Sequence, residues 1–183
     1  MLFRSVKLEN IKSVYISIND DPDAIENFGL ETFKVAGVDA IVEKLGPYKF
    51  SLLPTAFFQL NCEQTEKLYT HIVKVAHLHG EENVVDAFCG VGTIGIWLSK
   101  YVKEVRGIDI NKEGIKSAIQ NAQLNEIPNA RFYTGDILTC LTKWRKEGFI
   151  PDVLVVDPPR TGLDLRLRSE ERRVGKECRS RWS

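Results

Sequence analysis

The spacing of apolar residues changes character near residue 54. Before that point the apolar segments are short, and Val14, Ile16 and Ile18 alternate with polar neighbours at the period of a half-buried strand. Three more short apolar segments follow, separated by turn-forming glycine and proline: ETFKVAG, VDAIVEKLG and YKFSLL. Residues 1–53 are therefore predicted to form a small antiparallel β region.

A helix with marked boundaries begins the second part of the chain. In NCEQTEKLYTHIVKVAHLHG, Asn61 can cap the amino end with Gln64 three residues later, and Gly80 is placed to close the carboxyl end. The stripe predicted to be buried, at i, i+4 and i+7, comprises Leu68, Ile72 and Val75.

Strands and helices then alternate as far as residue 157. Four nearly continuous apolar segments predict strands: NVVDAF, EVRGID, ARFYTGD and DVLVVD. The segments between them predict helices: TIGIWLSKY, KEGIKSAIQNAQLN and ILTCLTKWRKEG. The residues predicted to be buried on the last two helices are Ile115, Ala118, Ile119 and Ala122, and then Ile137, Leu141 and Trp144. This alternation is typical of an α/β fold with a doubly wound parallel sheet.

Composition, charge and cysteine spacing limit the class of protein and the cellular compartment that we expect. A hydrophobic content of 43% and a charged content of 27% are ordinary for a globular protein, and no apolar run approaches the ~20 residues of a membrane span. The amino terminus lacks the pattern of a secretory signal. Four cysteines, Cys62, Cys89, Cys140 and Cys178, form no C-x-x-C pair, which favours a reducing cytoplasm over disulfides or zinc. We expect a cytoplasmic protein with no membrane partner.

The formal net charge of zero conceals an asymmetry. Residues 168–183 contain six Arg and Lys against three Asp and Glu, so residues 1–167 carry a charge of −3. The body of the protein is therefore not globally basic. Any contact with nucleic acid is expected to use a local patch or parts outside this chain.

A glycine-rich turn follows the first predicted parallel strand. Gly90, Gly92 and Gly95 in DAFCGVGTIG form a G-x-G-x-x-G pattern, in which glycines let backbone N–H groups approach a ligand at the start of a helix. Asp109 ends the next strand, where such folds place a carboxylate that binds a ribose diol. The arrangement predicts nucleoside binding but does not distinguish a nicotinamide dinucleotide from S-adenosylmethionine.

Two further features favour methyl transfer over hydride transfer. Asp86 and Phe88 precede the first glycine in a form that methyltransferases commonly use. Asp157 opens D-P-P-R at the end of the fourth strand, and its two prolines stiffen a turn at the edge where open α/β sheets bind ligands. An NAD-dependent oxidoreductase and a non-catalytic S-adenosylmethionine- or RNA-binding module remain as alternatives.

Three segments, in order and spacing, resemble the RNA uracil-5 methyltransferases, which make 5-methyluridine in ribosomal or transfer RNA. They are LLPTAFFQLNCEQTEKLY, VVDAFCGVGTIG and VVDPPRTGLD, and the likeness covers about residues 40–167. The segment TKWRKEGFIPDVLVVDPPRTGLD is similar to the bacterial 23S ribosomal RNA branch. The resemblance implies a Rossmann-like class I methyltransferase sheet, here with about four parallel strands, S-adenosylmethionine as cofactor, and RNA as substrate, ribosomal rather than transfer RNA.

The resemblance also implies roles for individual residues. Gln59 would reach the cofactor from the F-F-Q segment, and Phe88 would pack on it. Asp109 would bind the ribose hydroxyls, and Asp157 would lie between the cofactor and the target uracil. Gly90 would allow the close approach of the backbone. Many family members have tyrosine in place of Phe88, so a hydroxyl contact would be absent here.

The family's catalytic residues are expected outside this chain. Its nucleophilic cysteine lies in a Y-V-S-C-N-P segment some two dozen residues past D-P-P-R, and its glutamate base lies further on. Neither segment occurs here. Cys178 is at about the right distance from Asp157, but the residues before it offer no apolar strand or helix to hold a nucleophile. We therefore expect the chain alone to be inactive.

Residues 168–183, the tail of the chain, have an explanation other than a catalytic one. RSEERRVGKECRSRWS resembles the translation of a sequencing-library adapter, whose codons AGA TCG GAA GAG CGT CGT encode Arg-Ser-Glu-Glu-Arg-Arg. We interpret 168–183 as a non-native tail, 1–53 as the remnant of a β-rich central domain, and 54–167 as an incomplete methyltransferase domain. The sheet would then stop at its fourth strand, leaving VLVV as an exposed, aggregation-prone apolar edge. A basic RNA-binding arm is the alternative.

The remaining candidates have structural interpretations. Cys89 is predicted to be a small packing residue of the glycine turn, and Trp144 to face inward from an amphipathic helix. Phe57 and Phe58 are adjacent, so at most one can face a cofactor. The histidines His71, His77 and His79 lack partners at ligand spacing, so no metal is expected. We expect the full-length protein to be monomeric.

Overall fold

The computed structural model describes residues 11–19, 31–159, 162–163 and 167, together with the backbone of 177–178. In chain order the strands are β1 Ser13–Ile18, β2 Glu31–Gly37, β3 Ile41–Leu45, β4 Tyr48–Leu52, β5 Asn83–Ala87, β6 Glu104–Asp109, β7 Ala130–Thr134, β8 Val153–Val156 and β9 Glu177–Cys178. The α-helices are α1 Cys62–Val75, α2 Thr93–Leu98, α3 Lys112–Leu124 and α4 Ile137–Lys146, and a 3-10 turn, Ser99–Tyr101, follows α2.

A parallel sheet forms the centre of the fold. Its strand order is β7-β6-β5-β8-β9, and every neighbouring pair is parallel. In β5 the four residues from Val84 to Ala87 are buried, as are all four residues of β8, because helices cover both faces of the sheet. The predicted Rossmann-like α/β fold with four main parallel strands is confirmed.

The expected exposure of β8 is wrong. Val153 to Val156 are each at most 7% exposed, and β9 pairs with β8 through Leu154↔Glu177 and Val155↔Cys178. An edge strand presents unpaired N–H and C=O groups that any extended backbone can bind, and here the two residues of β9 do so. The rest of the proposed non-native tail lies outside the described residues.

The β3–β4 hairpin packs against the α/β body, whereas β1 and β2 form a separate antiparallel pair. Alternate residues of the hairpin, Tyr48, Phe50 and Leu52 among them, are buried in the same apolar core as Tyr69 of α1 and Trp97 of α2. The predicted antiparallel β region is therefore present as two pairs. The domain boundary at residue 53 stays a prediction.

Helix α1 begins as predicted and ends earlier. The side chain of Asn61 accepts a hydrogen bond from the N–H of Gln64 at 3.1 Å. The helix stops at Val75, because His77 adopts a left-handed backbone with φ 50° and the N–H of Leu78 donates to the carbonyl of Val73. This is a Schellman ending in which histidine occupies the usual glycine position.

The buried faces of the helices agree with the prediction in part. Of the residues predicted to be buried on α1, Ile72 is buried, Leu68 is partly buried against the core and Val75 is 43% exposed. Thr65 and Tyr69 are buried as well. The stripe is displaced because the ring of Tyr69 reaches Trp97, with 5.9 Å between ring centroids. Ile119 of α3 is also exposed, at 41%. The other predicted buried residues of α3 and α4 are confirmed as buried: Ile115, Ala118, Ala122, Ile137, Leu141 and Trp144.

Among the described helices, none combines the length and apolarity that a membrane crossing requires.

Gly107 of β6 provides a test of the packing between β6 and Phe132 of β7. A Cβ added there would lie 2.3 Å from Cδ1 of Phe132 and 3.0 Å from Sγ of Cys89. We expect Gly107→Ala to lower the free energy of unfolding by about 1–3 kcal/mol through overpacking, measured by urea denaturation. Combining it with Phe132→Leu, which removes ring atoms from the clash, should cost less than the sum of the two single changes. Additive losses would contradict this packing.

Candidate functional site

The predicted site residues lie at the carboxyl edge of the sheet. Ala87, the last residue of β5, is in register with Ile108 on β6 and Val156 on β8. Phe88, Asp109 and Asp157 each come one residue after that common level. With neighbouring strands about 4.8 Å apart, the two aspartates flank Phe88 across roughly 10 Å. The sheet register therefore brings these three predicted residues together.

The three glycines of the turn donate their N–H groups within the protein. Their acceptors are Oδ2 of Asp109 for Gly90 at 2.9 Å, the carbonyl of Cys89 for Gly92 at 2.8 Å, and Oδ2 of Asp86 for Gly95 at 2.8 Å. Two of the acceptors are carboxyl groups carried by adjacent strands. The glycine loop is thus tied to β5 and β6 by side chains as well as by its own backbone.

Asp109 is held at both oxygens. Its Oδ2 accepts from Gly90, and its Oδ1 accepts from the N–H of Asn111 at 2.9 Å. Asn111 in turn caps α3, because its Oδ1 accepts from the N–H groups of Glu113 and Gly114 at 3.0 Å each. Each carboxylate oxygen has a further lone pair, so Asp109 can still accept hydrogen bonds from a ligand diol.

Asp86 is a fully buried carboxyl group below the glycine loop. Its Oδ2 accepts from Gly95, whereas its Oδ1 has no hydrogen-bond partner among the described residues. Burial, helped by the negative charges of Asp157 and Asp109 and opposed by the hydrogen bond from the Gly95 N–H, raises the pKa of Asp86 to about 7. This group therefore titrates near neutral pH.

Phe88 has a backbone conformation that is unusual for a residue with a side chain. Its φ is 63°, in the left-handed region that costs a non-glycine residue about 1 kcal/mol or more. The half-buried ring packs against the apolar cluster that includes Val85 and Ile108. The turn thereby places Phe88 between Asp109 and Asp157 along the sheet edge, with its ring packed on this cluster.

Asp157 has an exposed side chain at the start of the D-P-P segment. Its N–H donates to the carbonyl of Ala87 at 3.4 Å, which continues the sheet by one residue. Partial desolvation raises the pKa of this carboxyl above its usual range. No ion pair joins Asp86, Asp109 or Asp157 to a cation among the described residues.

Gln59 lines a cavity that the other predicted site residues do not line. It lies two residues before the cap of α1, on a cavity of about 400 Å³ whose lining also includes Tyr15, Glu43 and Phe58 but not Phe88, Asp109 or Asp157. The contact of Gln59 with a cofactor stays a prediction. Phe57 is 75% exposed, whereas the ring of Phe58 packs on Phe50 with 5.7 Å between centroids. Only one of the two phenylalanines is thus in the core.

The three cysteines whose side chains are described are buried or half-buried. Cys89 is buried, and burial raises the pKa of its thiol well above the usual value, as suits the packing role predicted for it. Cys62 and Cys140 are half-buried on helices. Among the described residues no group of three or more His, Cys, Asp or Glu could hold a metal ion. The side chain of Cys178 lies outside the described residues, so its role is not tested.

Sequence reasoning missed a set of asparagines on α3 and just beyond it. Asn121, Asn125 and Asn129 follow one another at intervals of four residues, and each uses its side-chain amide to bind backbone of another element. Asn121 is completely buried. The sequence does contain a signal for these contacts, because asparagine recurs every four residues in α3 and just after it. A search for apolar stripes alone does not detect such a repeat.

Comparisons with known proteins agree with this geometry. Residues 78–157 match the methyltransferase domain family. The chain is 48% identical over 157 residues to an uncharacterized RNA methyltransferase of Bacillus cereus, across 86% of this chain and 34% of the relative. It is 44% identical over 161 residues to one of Halalkalibacterium halodurans, across 88% of this chain and 35% of the relative. The chain spans about a third of the length of these curated relatives.

A solved structure extends the likeness to most of the chain. The fold is similar to that of the Pyrococcus abyssi tRNA (uracil-54, C5)-methyltransferase in complex with S-adenosyl-L-homocysteine, with a TM-score of 0.65 and 29% sequence identity. The similarity covers 91% of this chain and 40% of that chain. The resemblance noted from the three sequence segments is thus confirmed for the methyltransferase domain.

The buried carboxyl of Asp86 predicts a pH-dependent stability. The folded chain holds this proton to about pH 7, whereas the unfolded chain releases it near the ordinary value of 3.8. The free energy of unfolding that Asp86 contributes therefore falls as the pH rises from about 4 to about 7 and levels off above that. Asp86→Asn, which keeps an oxygen acceptor for Gly95, should remove this dependence.

Urea denaturation between about pH 4 and about pH 7 measures this pH dependence of the free energy of unfolding. The difference in free energy of unfolding between the unsubstituted chain and Asp86→Asn should shift in favour of the variant as the pH rises. A difference that stays constant with pH would show that Asp86 is ionised throughout the folded state.

Proposed function

We propose that the chain, of which residues 78–157 match the methyltransferase domain family, forms the cofactor-binding part of an S-adenosylmethionine-dependent RNA methyltransferase acting on C5 of a uridine. The observation that carries the proposal is the carboxyl edge of the sheet, where a closed glycine loop lies beside Asp109, Phe88 and Asp157. The nearby relatives carry the name RNA methyltransferase, and a structural neighbour acts on a tRNA uracil.

The charge of the edge suits this cofactor. S-adenosylmethionine carries a positive sulfonium and an ammonium group, and both are attracted by carboxylates. Asp109 and Asp157 flank the edge, and no described cation neutralises them.

The hydrogen bonding of the glycine loop supports the same choice. Dinucleotide-binding folds use the free N–H groups of the glycine turn to bind the diphosphate. In this chain all three motif glycines already donate to protein acceptors, and two of those acceptors are carboxyl groups. These three N–H groups are therefore available to a diphosphate only if the bonds break.

Each residue has a proposed task. Asp109 binds the ribose hydroxyls while it holds Gly90, and the left-handed turn at Phe88 presents its ring for packing on the cofactor. Asp157 lies on the acceptor side, between the transferable methyl group and the target base. Gln59 approaches from the segment before α1. When bound, the cofactor supplies the methyl group, and these residues bind it and orient it.

Methylation at C5 needs a nucleophile and a base as well. C5 of uracil is a weak nucleophile, so a cysteine thiolate adds to C6 and leaves an enolate whose C5 takes the methyl group. A base then removes the C5 proton, and the cysteine is expelled. Cys89 is unsuited to this role because its thiol is buried with a raised pKa. We propose that residues of the whole protein outside the described part supply both groups, with ribosomal RNA as substrate.

Titration calorimetry tests the cofactor. We expect S-adenosylhomocysteine to bind and NADH to show no binding at the same concentration. Asp109→Asn should weaken S-adenosylhomocysteine by about 10- to 100-fold, because hydrogen bonds to a charged acceptor contribute roughly 1.5–3 kcal/mol. Asp152→Asn, a carboxylate at the opposite end of the sheet that accepts from Asn83, is the matched control and should bind normally. Binding of NADH alone would overturn the methyltransferase proposal.

RNA containing 5-fluorouridine tests whether this chain by itself carries the nucleophile. A complete uracil-5 methyltransferase traps a covalent adduct with such RNA, because fluorine replaces the proton that the base must remove. We expect no adduct with this chain when protein and labelled RNA are separated under denaturing conditions. An adduct that maps to Cys89 would contradict the structural role given to that thiol.

A further inference from the structure

The outer edge of β4 is bonded to a helix instead of to another strand. The N–H of Ser51 donates to Oδ1 of Asn121 at 2.8 Å. The N–H of Lys49 donates to Oδ1 of Asn125 at 2.9 Å, and Nδ2 of Asn125 donates back to the carbonyl of Lys49 at 2.7 Å. Two amide side chains, that of Asn121 in α3 and that of Asn125 at its carboxyl cap, therefore take the place that a partner strand would have.

The spacing explains why this match is possible. Residues four apart on an α-helix are separated by about 6 Å along its axis, and residues two apart on a strand by about 6.8 Å. Asparagines at i and i+4 can thus face alternate residues of a strand that runs alongside. An amide offers both a donor and an acceptor, as a peptide group does.

Asn121 makes a second contact that Asn125 does not make. Its Nδ2 donates to the carbonyl of Val91, in the middle of the glycine loop, at 3.2 Å. The residue is completely buried, so losing either partner would leave a polar atom unsatisfied away from water. The remaining bond of Asn125 goes to the carbonyl of Asn121 in its own helix. Only one of the two amides therefore joins the hairpin to the loop.

We propose that Asn121 is a positioning residue that couples the glycine loop to the β3–β4 hairpin. The inference rests on the proposed cofactor site, because the loop holds one side of that site. Strand β4 ends at Leu52, and the segment that follows it carries Gln59 toward α1. A single amide thus sets the loop and the start of the Gln59 segment relative to each other, and ligand binding at the loop stabilises the hairpin.

Residue-resolved hydrogen exchange tests the coupling in the whole chain. Addition of S-adenosylhomocysteine should slow exchange of the Ser51 N–H at least about threefold more than that of the Lys49 N–H, because only the acceptor of Ser51 also binds the loop. Comparing these two amides of one strand removes any general stabilisation by the ligand. Equal slowing at both amides would overturn the proposal.

Two variants complete the test. Asn121→Asp keeps an oxygen for Ser51 but loses the donor to Val91, so the difference between the two amides should vanish and the Kd for S-adenosylhomocysteine should rise about five- to tenfold. Asn125→Ala is the matched control: it removes the acceptor of Lys49, so Ser51 alone is followed, and the ligand should slow Ser51 as in the unsubstituted chain and change the Kd less than about twofold. A difference that persists in Asn121→Asp would also overturn the proposal.

The outcomes separate the coupling from the proposed function. If S-adenosylhomocysteine slows no amide of the unsubstituted chain and shows no heat of binding, the proposed function fails and the coupling fails with it. If the ligand binds and slows exchange in the Gly90–Gly92 loop without favouring Ser51, the coupling alone fails. The measurement on the unsubstituted chain decides this even if Asn121→Asp does not fold.

Discussion

Closure of the glycine loop by two carboxyl groups is the constraint on which the site depends. Asp86 and Asp109 come from neighbouring strands, and they hold the N–H groups of Gly95 and Gly90. The loop therefore takes its position from the sheet register and not from the intrinsic preference of a flexible, glycine-rich segment. The same register places Phe88 in line with Asp109, so a change in strand pairing would displace the ring, the carboxylate and the loop together.

Helix α3 links this loop to the rest of the fold at both of its ends. Asn111 caps its first turn beside Asp109, and Gly114 leaves room for the loop, since a Cβ there would lie 3.2 Å from the carbonyl of Gly90. Further along, Asn121 reaches the loop and the hairpin at once. The helix is thus a rigid connection between a ligand-facing loop and a β hairpin that belongs to a different sheet.

The sequence allowed much of the α/β part to be predicted, because parallel strands buried on both faces appear as continuous apolar runs. The bounds of β6 and the common level of Asp109 and Asp157 follow from such runs. The buried stripe of α1 was displaced because a tyrosine ring reaches farther than its spacing indicates. The role of Asn121 could not be predicted, since a polar residue on a helix usually faces water, and its partners are 30 and 70 residues away in the chain.

The bonded edge of β4 has a consequence for association between molecules. An edge strand with free backbone groups acts as a template that other chains can extend, which is how sheets grow into aggregates. The asparagines occupy the N–H and C=O of Lys49 and the N–H of Ser51, yet they offer no repeating backbone beyond themselves. The helix therefore ends the small sheet on that side, and the hairpin keeps its strand pairing without becoming a template for further strands.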